Sequence, residues 1–119
     1  MSDNVVIVLS CGTDNPNRAT RAFHLATVAH QEGRNVTVFL LDEGVYLASK
    51  GLAENVRSAT GDALDDHLAY LQAHSVPILA CTPCAKTRRI EETDLVEGAR
   101  MGTGVDLIRL TKDATVISL

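Results

Sequence analysis

The chain has 119 residues, 45% of them hydrophobic, and a formal net charge of -4, which suits one soluble domain with a real core and argues against general nucleic-acid binding, since neutralising a phosphate backbone takes a basic face. Its longest apolar runs, Val5 to Leu9 and Val36 to Leu41, are far shorter than the roughly 18 residues that suggest a membrane span. With 3% aromatic residues and no Trp, the core is expected from Val, Ile, Leu and Ala, as in a parallel sheet packed by Ala-rich helices.

The opening "MSDN" is polar and acidic and lacks the basic and apolar regions of a signal peptide, so a cytoplasmic protein is expected. Val5 to Leu9 is a wholly apolar, β-branched run of the kind found in a strand covered on both faces. Asn15 can cap a helix with Pro16 at its first position; Ala19, Ala22, Phe23, Ala26 and Ala29 mark its inner face and Gly33 its end. Val36 to Leu41 is a second buried strand, completing a β-α-β unit.

From Asp42 to Gly61 a loop and a short helix are expected, followed by a helix capped by Asp62 with Leu64, Leu68 and Leu71 inward. Pro77 starts a third strand, Ile78 to Ala80, which runs straight into "CTPCAKTRR". Thr93 reads as the N-cap of a helix over Asp94 to Met101, with Leu95, Val96 and Ala99 inward and Gly102 or Gly104 as terminator. Val105 to Leu110 fits helix or strand equally well, and Thr115 to Leu119 is a last β-rich run. No repeat or linker divides the chain, so residues 1-119 are expected to form a single domain.

In parallel α/β sheets, functional side chains collect at the carboxyl ends of the strands. Cys11 follows the first expected strand, Asp42 and Glu43 the second, and Cys81 and Cys84 the third. Three cysteines in a reducing compartment do not suggest a disulfide framework, and the Asn35-Val36-Thr37 sequon carries no weight there. Thiol chemistry needs the thiolate, which neighbouring cations or a helix N-terminus favour, and Lys86, Arg88 and Arg89 follow the cysteine pair. The blander role, small buried hydrophobes, applies more to Cys11 than to Cys84.

Two cysteines do not complete a zinc site, and His24, His30, His67 and His74 are spread through expected helices without a metal-ligand spacing, so no metal is expected. The turn "CGTDNPNR" has one glycine and neither common phosphate-loop pattern, which favours a solvated capping loop over an anion site built with Arg18 or Arg21. No cofactor is expected. Asp42 and Glu43 read as loop and capping residues rather than catalytic acids.

Taken together, "VVIVLSCGTDNPNRATRAFHLA", "FLLDEGV", "VPILACTPCAKTRR" and the terminal "DATVISL" resemble the DsrE-like family of small cytoplasmic sulfur-relay proteins, over nearly the whole chain. The resemblance implies a three-layer α/β/α sandwich with a mostly parallel five-stranded sheet, assembled as homotrimers or hexamers. It also implies a persulfide carried on the strand-end cysteine, here Cys81, and passed between donor and acceptor proteins, with Arg88-Arg89 at the position of the family's basic pair. Cys84 departs from the sulfur-transferring members, and a thiol three residues from a persulfide can attack it, release sulfide and leave a disulfide. Three readings stand: a sulfurtransferase-like persulfide carrier with Cys81 as nucleophile, Cys84 as resolving thiol and Cys11, Lys86, Arg88 and Arg89 as auxiliaries; a thiol-disulfide oxidoreductase or redox sensor using Cys81 and Cys84; and a non-enzymatic module that binds a small anion or builds an oligomer.

Overall fold

A computed structural model describes residues 3-119; the polar opening at Met1 and Ser2 lies outside them. Five strands, β1 (Asn4–Leu9), β2 (Asn35–Leu40), β3 (Ile78–Cys81), β4 (Ala99–Gly102) and β5 (Ala114–Ser118), form one sheet in the order β4-β3-β2-β1-β5. Every pairing is parallel, with Val5 beside Val36 and Thr115, Leu40 beside Ala80, and Cys81 beside Gly102. The expected sandwich is therefore built on an all-parallel sheet. The chain steps outward from β1 to β4 and then returns to the far side of β1, so the reversal in strand order lies between β1 and β5.

The two faces of the sheet are covered unequally. Val5, Ile7 and Leu9 join the main core with Phe23, Ala22 and Ala26 of helix α1 (Pro16–Gln31) and Leu64, Leu68 and Leu71 of helix α2 (Leu64–Ala73), whereas Val6 and Val8 are buried outside that cluster, as alternation along a strand requires. Small residues at Ala19, Ala22 and Ala26, each fully buried, let α1 lie close to the strands. Leu110, at the end of the short helix α4 (Gly104–Leu110), borders Val6 and Thr37 on the other face. α4 buries no residue completely and leaves Val105 57% and Ile108 70% exposed, so this second layer is thin.

The start of α1 follows the sequence expectation: Asn15 Oδ1 accepts from the Arg18 amide at 3.2 Å, Pro16 occupies the first turn, and the chain turns away at Gly33 with φ +84. Helix α2 does not. Ala63, without a capping hydrogen bond, is its N-cap, because the Asp62 carboxylate lies 2.8 Å from His67 Nε2 instead. After β2 the expected loop is a 3-10 segment over Asp42–Ala48 that buries Val45, Leu47 and Ala48, followed by a second 3-10 turn at Ala53–Asn55.

The expected helix over Asp94 to Met101 is absent from the fold. Glu91 caps a single 3-10 turn, Glu92–Asp94, and residues 99-102 form edge strand β4. Gly102 is no helix terminator: a Cβ there would come within 3.1 Å of Phe39 Cε2 and 3.2 Å of Leu79 Cβ, so the missing side chain lets β4 close against its neighbours. The undecided segment at Val105 to Leu110 is helical, fixed by a reciprocal cap in which Thr103 Oγ1 accepts from the Asp106 amide and Asp106 accepts from the Thr103 amide.

Candidate functional site

Strand β3 ends on Cys81, and the next residue begins helix α3 (Thr82–Thr87), with Pro83 in its first turn and Cys84 about one turn in. The strand end is pinned on its outer side, where the Thr82 hydroxyl donates to the Gly102 carbonyl at 2.9 Å. Cys81 is 7% exposed and Cys84 is half-buried; both are free thiols. Cys84 Sγ lies 3.9 Å from Asp42 Oδ1, a weak contact that ties α3 to the 3-10 segment after β2. Asp42 itself has φ +49, a left-handed conformation that Asp tolerates better than most residues, braced by the Leu41 amide on the Leu9 carbonyl at 2.8 Å.

The electrostatics differ from the sequence expectation. Burial pushes the Cys81 thiol above its ordinary value of 9.0, the neighbouring Cys84 thiol adds to this, and the negative charge of Asp42 acts in the same direction; only the Cys84 backbone amide pulls the other way. The six-residue α3 offers little dipole to offset these influences. Arg88 turns away: its guanidinium meets Glu43 Oε1 at 2.6 Å, donates to the Cys84 carbonyl at 3.1 Å, and lies 6.0 Å from the centre of the Tyr46 ring. Arg88 and Glu43 thus clasp α3 to the Asp42–Ala48 segment, a role that the reading of Glu43 as a loop residue missed.

Lys86 and Arg89 line a separate cleft of about 760 Å³ with Ile90, Glu91 and Met101. The cationic support expected of Lys86, Arg88 and Arg89 is therefore divided between an ion pair and this neighbouring cleft. Cys11 follows β1, is 7% exposed, and points weakly at the Asn15 carbonyl, 3.9 Å away; burial, with the Asp14 carboxylate second, raises its thiol too. In the turn that follows, Asp14 Oδ1 accepts from the Gly12 amide at 2.7 Å and the Asn15 amide bonds the Gly12 carbonyl, so a side-chain carboxylate holds the place of an outside anion.

The fold also assembles a cluster that sequence spacing gave no sign of. His24 of α1, Asp62 before α2 and His67 of α2 each offer a ligand atom, all within 4.8 Å of one another. The three residues come from separate turns and match no local motif, so only the packing of α1 against α2 brings them together. His30, Tyr70 and His74 form a second, aromatic group, with His30 Nδ1 2.8 Å from the Tyr70 hydroxyl.

An all-parallel α/β sheet with a thiol pair at the carboxyl end of its third strand defines the class of protein. The DsrE/DsrF-like family profile matches residues 3-119, and the chain belongs to this family. A protein of Methanopyrus kandleri, described as uncharacterised, is 30% identical over 115 residues, covering 94% of this chain and 89% of its own. Another, from Methanocaldococcus jannaschii and likewise described, is 37% identical over 97 residues, or 82% of each chain. Among solved structures, the ychN protein from E. coli superposes with a TM-score of 0.83 at 24% identity over the whole of both chains. A protein of unknown function from Methanobacterium thermoautotrophicum, MTH1491, does so with a TM-score of 0.71 at 18% identity over 98% of each. These two structures share the fold. No helix among the described residues is long and apolar enough to cross a membrane.

Proposed function

We propose that this chain is a cytoplasmic persulfide carrier in a sulfur relay, formed as one domain over residues 1-119, with Cys81 as the sulfur-accepting nucleophile and Cys84 as its resolving thiol. The observation that carries the reading is the placement of both thiols at the end of β3, Cys81 as the last residue of the strand and Cys84 in the first turn of the helix that follows it, in a chain of the sulfur-relay type of family. In loading, the Cys81 thiolate attacks the outer sulfur of a donor persulfide; a new S–S bond forms, the donor's S–S bond breaks, and the donor leaves as a thiolate. An acceptor thiolate can remove that outer sulfur and regenerate Cys81.

Where no acceptor is docked, the Cys84 thiolate attacks Cys81 Sγ, hydrosulfide leaves, and a Cys81–Cys84 disulfide remains that a dithiol must reduce. Because burial favours the protonated Cys81 thiol, transfer is fastest when a docked partner brings positive charge or opens the site. Donor and acceptor proteins and a homotrimer or hexamer belong to the same proposal; the apolar side chains left exposed at Val105, Ile108 and Val116 support assembly.

Two free thiols three residues apart at the strand end also favour a second reading, a thiol-disulfide oxidoreductase or redox sensor. Sulfide release after addition of a persulfide donor separates them. The carrier with a resolving thiol predicts hydrosulfide from the wild type and none from Cys84→Ser, which keeps its persulfide. A reversible disulfide formed with a disulfide donor, without uptake of sulfur from a persulfide donor, would favour the redox reading.

A further inference from the structure

The His24, Asp62 and His67 cluster lies in the α1–α2 layer and takes no part in the thiol site. Its hydrogen bonds determine which nitrogen of His67 carries a proton. Thr27, 6% exposed, donates its hydroxyl proton to the Phe23 carbonyl at 3.0 Å, so toward His67 Nδ1, 3.2 Å away, Thr27 Oγ1 serves as acceptor. Nδ1 therefore bears the hydrogen, and in a neutral imidazole Nε2 presents a lone pair. That lone pair faces Asp62 Oδ2 at 2.8 Å, another acceptor. Two acceptors at this distance need a cation between or beside them, either a proton or a metal.

The surroundings favour a metal. His24 adds a third ligand nitrogen, its ring edge-on to that of His67 with centroids 5.2 Å apart. Asp62 sits on a tied loop: the Ala59 amide donates to Asn17 Oδ1 at 2.6 Å, the Asp62 amide to Ser58 Oγ at 3.2 Å, and the Ser58 amide to the Asp62 carbonyl at 2.9 Å. Thr27 is the outer partner that a metal-bound imidazole commonly has on its other nitrogen, where it fixes tautomer and ring orientation. Ligand atoms around a tetrahedral zinc-type ion stand roughly 3.3 Å apart, given bonds of 2.0–2.1 Å. The exposed His24 side chain can close the remaining gap by rotating. A depression of about 490 Å³, bordered by Asn17, Arg21 and Thr60, leaves a fourth position open to solvent beside a guanidinium.

We propose that His24, Asp62 and His67 form a divalent-metal site of the zinc type, open at its fourth position to water or a small anion. Two imidazoles and one carboxylate suit Zn²⁺, Co²⁺ or Ni²⁺ better than Mg²⁺ or Ca²⁺, which prefer all-oxygen shells.

The test is titration of the full chain with Zn²⁺ alone, read by competition with a chromophoric chelator and by the histidine side-chain ¹⁵N resonances. One equivalent should bind and move the His24 and His67 signals while leaving those of His30 and His74 in place. His24→Ala and Asp62→Asn should each weaken binding at least tenfold, and Thr27→Val, a positioning change, by about tenfold. Cys81→Ser and Cys84→Ser should leave it unchanged. Zinc bound with no movement of the His67 signal, affinity unaltered in His24→Ala, or affinity lost in the cysteine variants would each overturn the assignment. So would a chain whose His67 signal stays in place at tenfold molar excess of Zn²⁺, which leaves a simple imidazolium–carboxylate pair.

Discussion

Substituting Gly12 by Ala tests how the thiol site is supported. A Cβ at Gly12 would stand 2.4 Å from the Glu43 carbonyl oxygen and 3.2 Å from its carbon, where ordinary contact begins at 3.4 Å. The two backbones would have to part by about 1 Å, from 2.4 Å to ordinary contact at 3.4 Å, and the same segment is packed closely against β1 at Gly44, where a Cβ would stand 2.6 Å from the Leu9 carbonyl oxygen. Forcing atoms into a packed interior costs about 1–3 kcal/mol, which for a chain of this size lowers Tm by roughly 4–12 °C. Glu43 and Asp42 would move with the strained turn, loosening the Arg88 clasp and the contact to Cys84, so Cys84 should also alkylate faster. Gly104→Ala is the control of opposite sign: a Cβ there meets nothing within 4 Å, and at the start of α4 it should leave stability unchanged or raise it by up to about 1 kcal/mol. Thermal unfolding followed by circular dichroism reads both. A Gly12→Ala midpoint within about 2 °C of wild type would refute the backbone-contact argument.

Cys81 should alkylate slowly at neutral pH, with a rate still climbing as pH passes 9.0, because burial holds its thiol above that value; a plateau below pH 8, roughly the range of activated thiols, would contradict it. The same upward displacement at Cys11 and Cys81 gives stability that is complete below the unfolded thiol's 9.0 and is lost as pH rises through the folded value, measurable by urea unfolding between neutral and alkaline pH. Thr20, 1% exposed, buries a hydroxyl with no hydrogen-bond partner among the described residues, so Thr20→Val should stabilise by about 1 kcal/mol; a lower Tm would mean that the hydroxyl has a partner after all. Thr103→Ala should cost about 1 kcal/mol by removing the cap of α4, seen as a lower urea midpoint. The Thr103 amide, and then its hydroxyl, hold the Asp106 carboxyl below 3.8, so that contribution is present above 3.8 and lost as pH falls through the folded value; Asp106→Asn should flatten the acid limb.

The parts of the fold readable from sequence are those where one physical demand dominates. β1 after Asn4 and β3 are buried along their length and appear as apolar runs, β2 is one broken only by the half-buried Thr37, and α1 carries both a cap and a small-residue face. β4 is a four-residue edge strand carrying Arg100, with only Gly102 buried. Its first residue Ala99 and the preceding Leu95 and Val96 happen to sit at helical spacing, so local periodicity favoured a helix and tertiary pairing with β3 decided otherwise. Asp62 was a reasonable cap by residue type, but a histidine one turn on competed for its carboxylate.

For the site, position was legible and charge was not. The strand-end rule placed Cys11, Cys81 and Cys84 on the same edge of the sheet, as expected. The rule could not foresee that Glu43, 45 residues away in sequence, would claim Arg88, that Lys86 and Arg89 would face a neighbouring cleft, or that burial would raise the Cys81 thiol. The histidine cluster was beyond sequence reasoning because its members share no element and no spacing.

The most direct measurement is intact-protein mass spectrometry after exposure to a persulfide donor, with alkylation to trap products, on wild type, Cys81→Ser and Cys84→Ser. Persulfide carriage on Cys81 predicts one added sulfur that disappears in Cys81→Ser and accumulates in Cys84→Ser, where no thiol remains to resolve it. An adduct that survives Cys81→Ser, or no adduct on any of the three proteins, would contradict it.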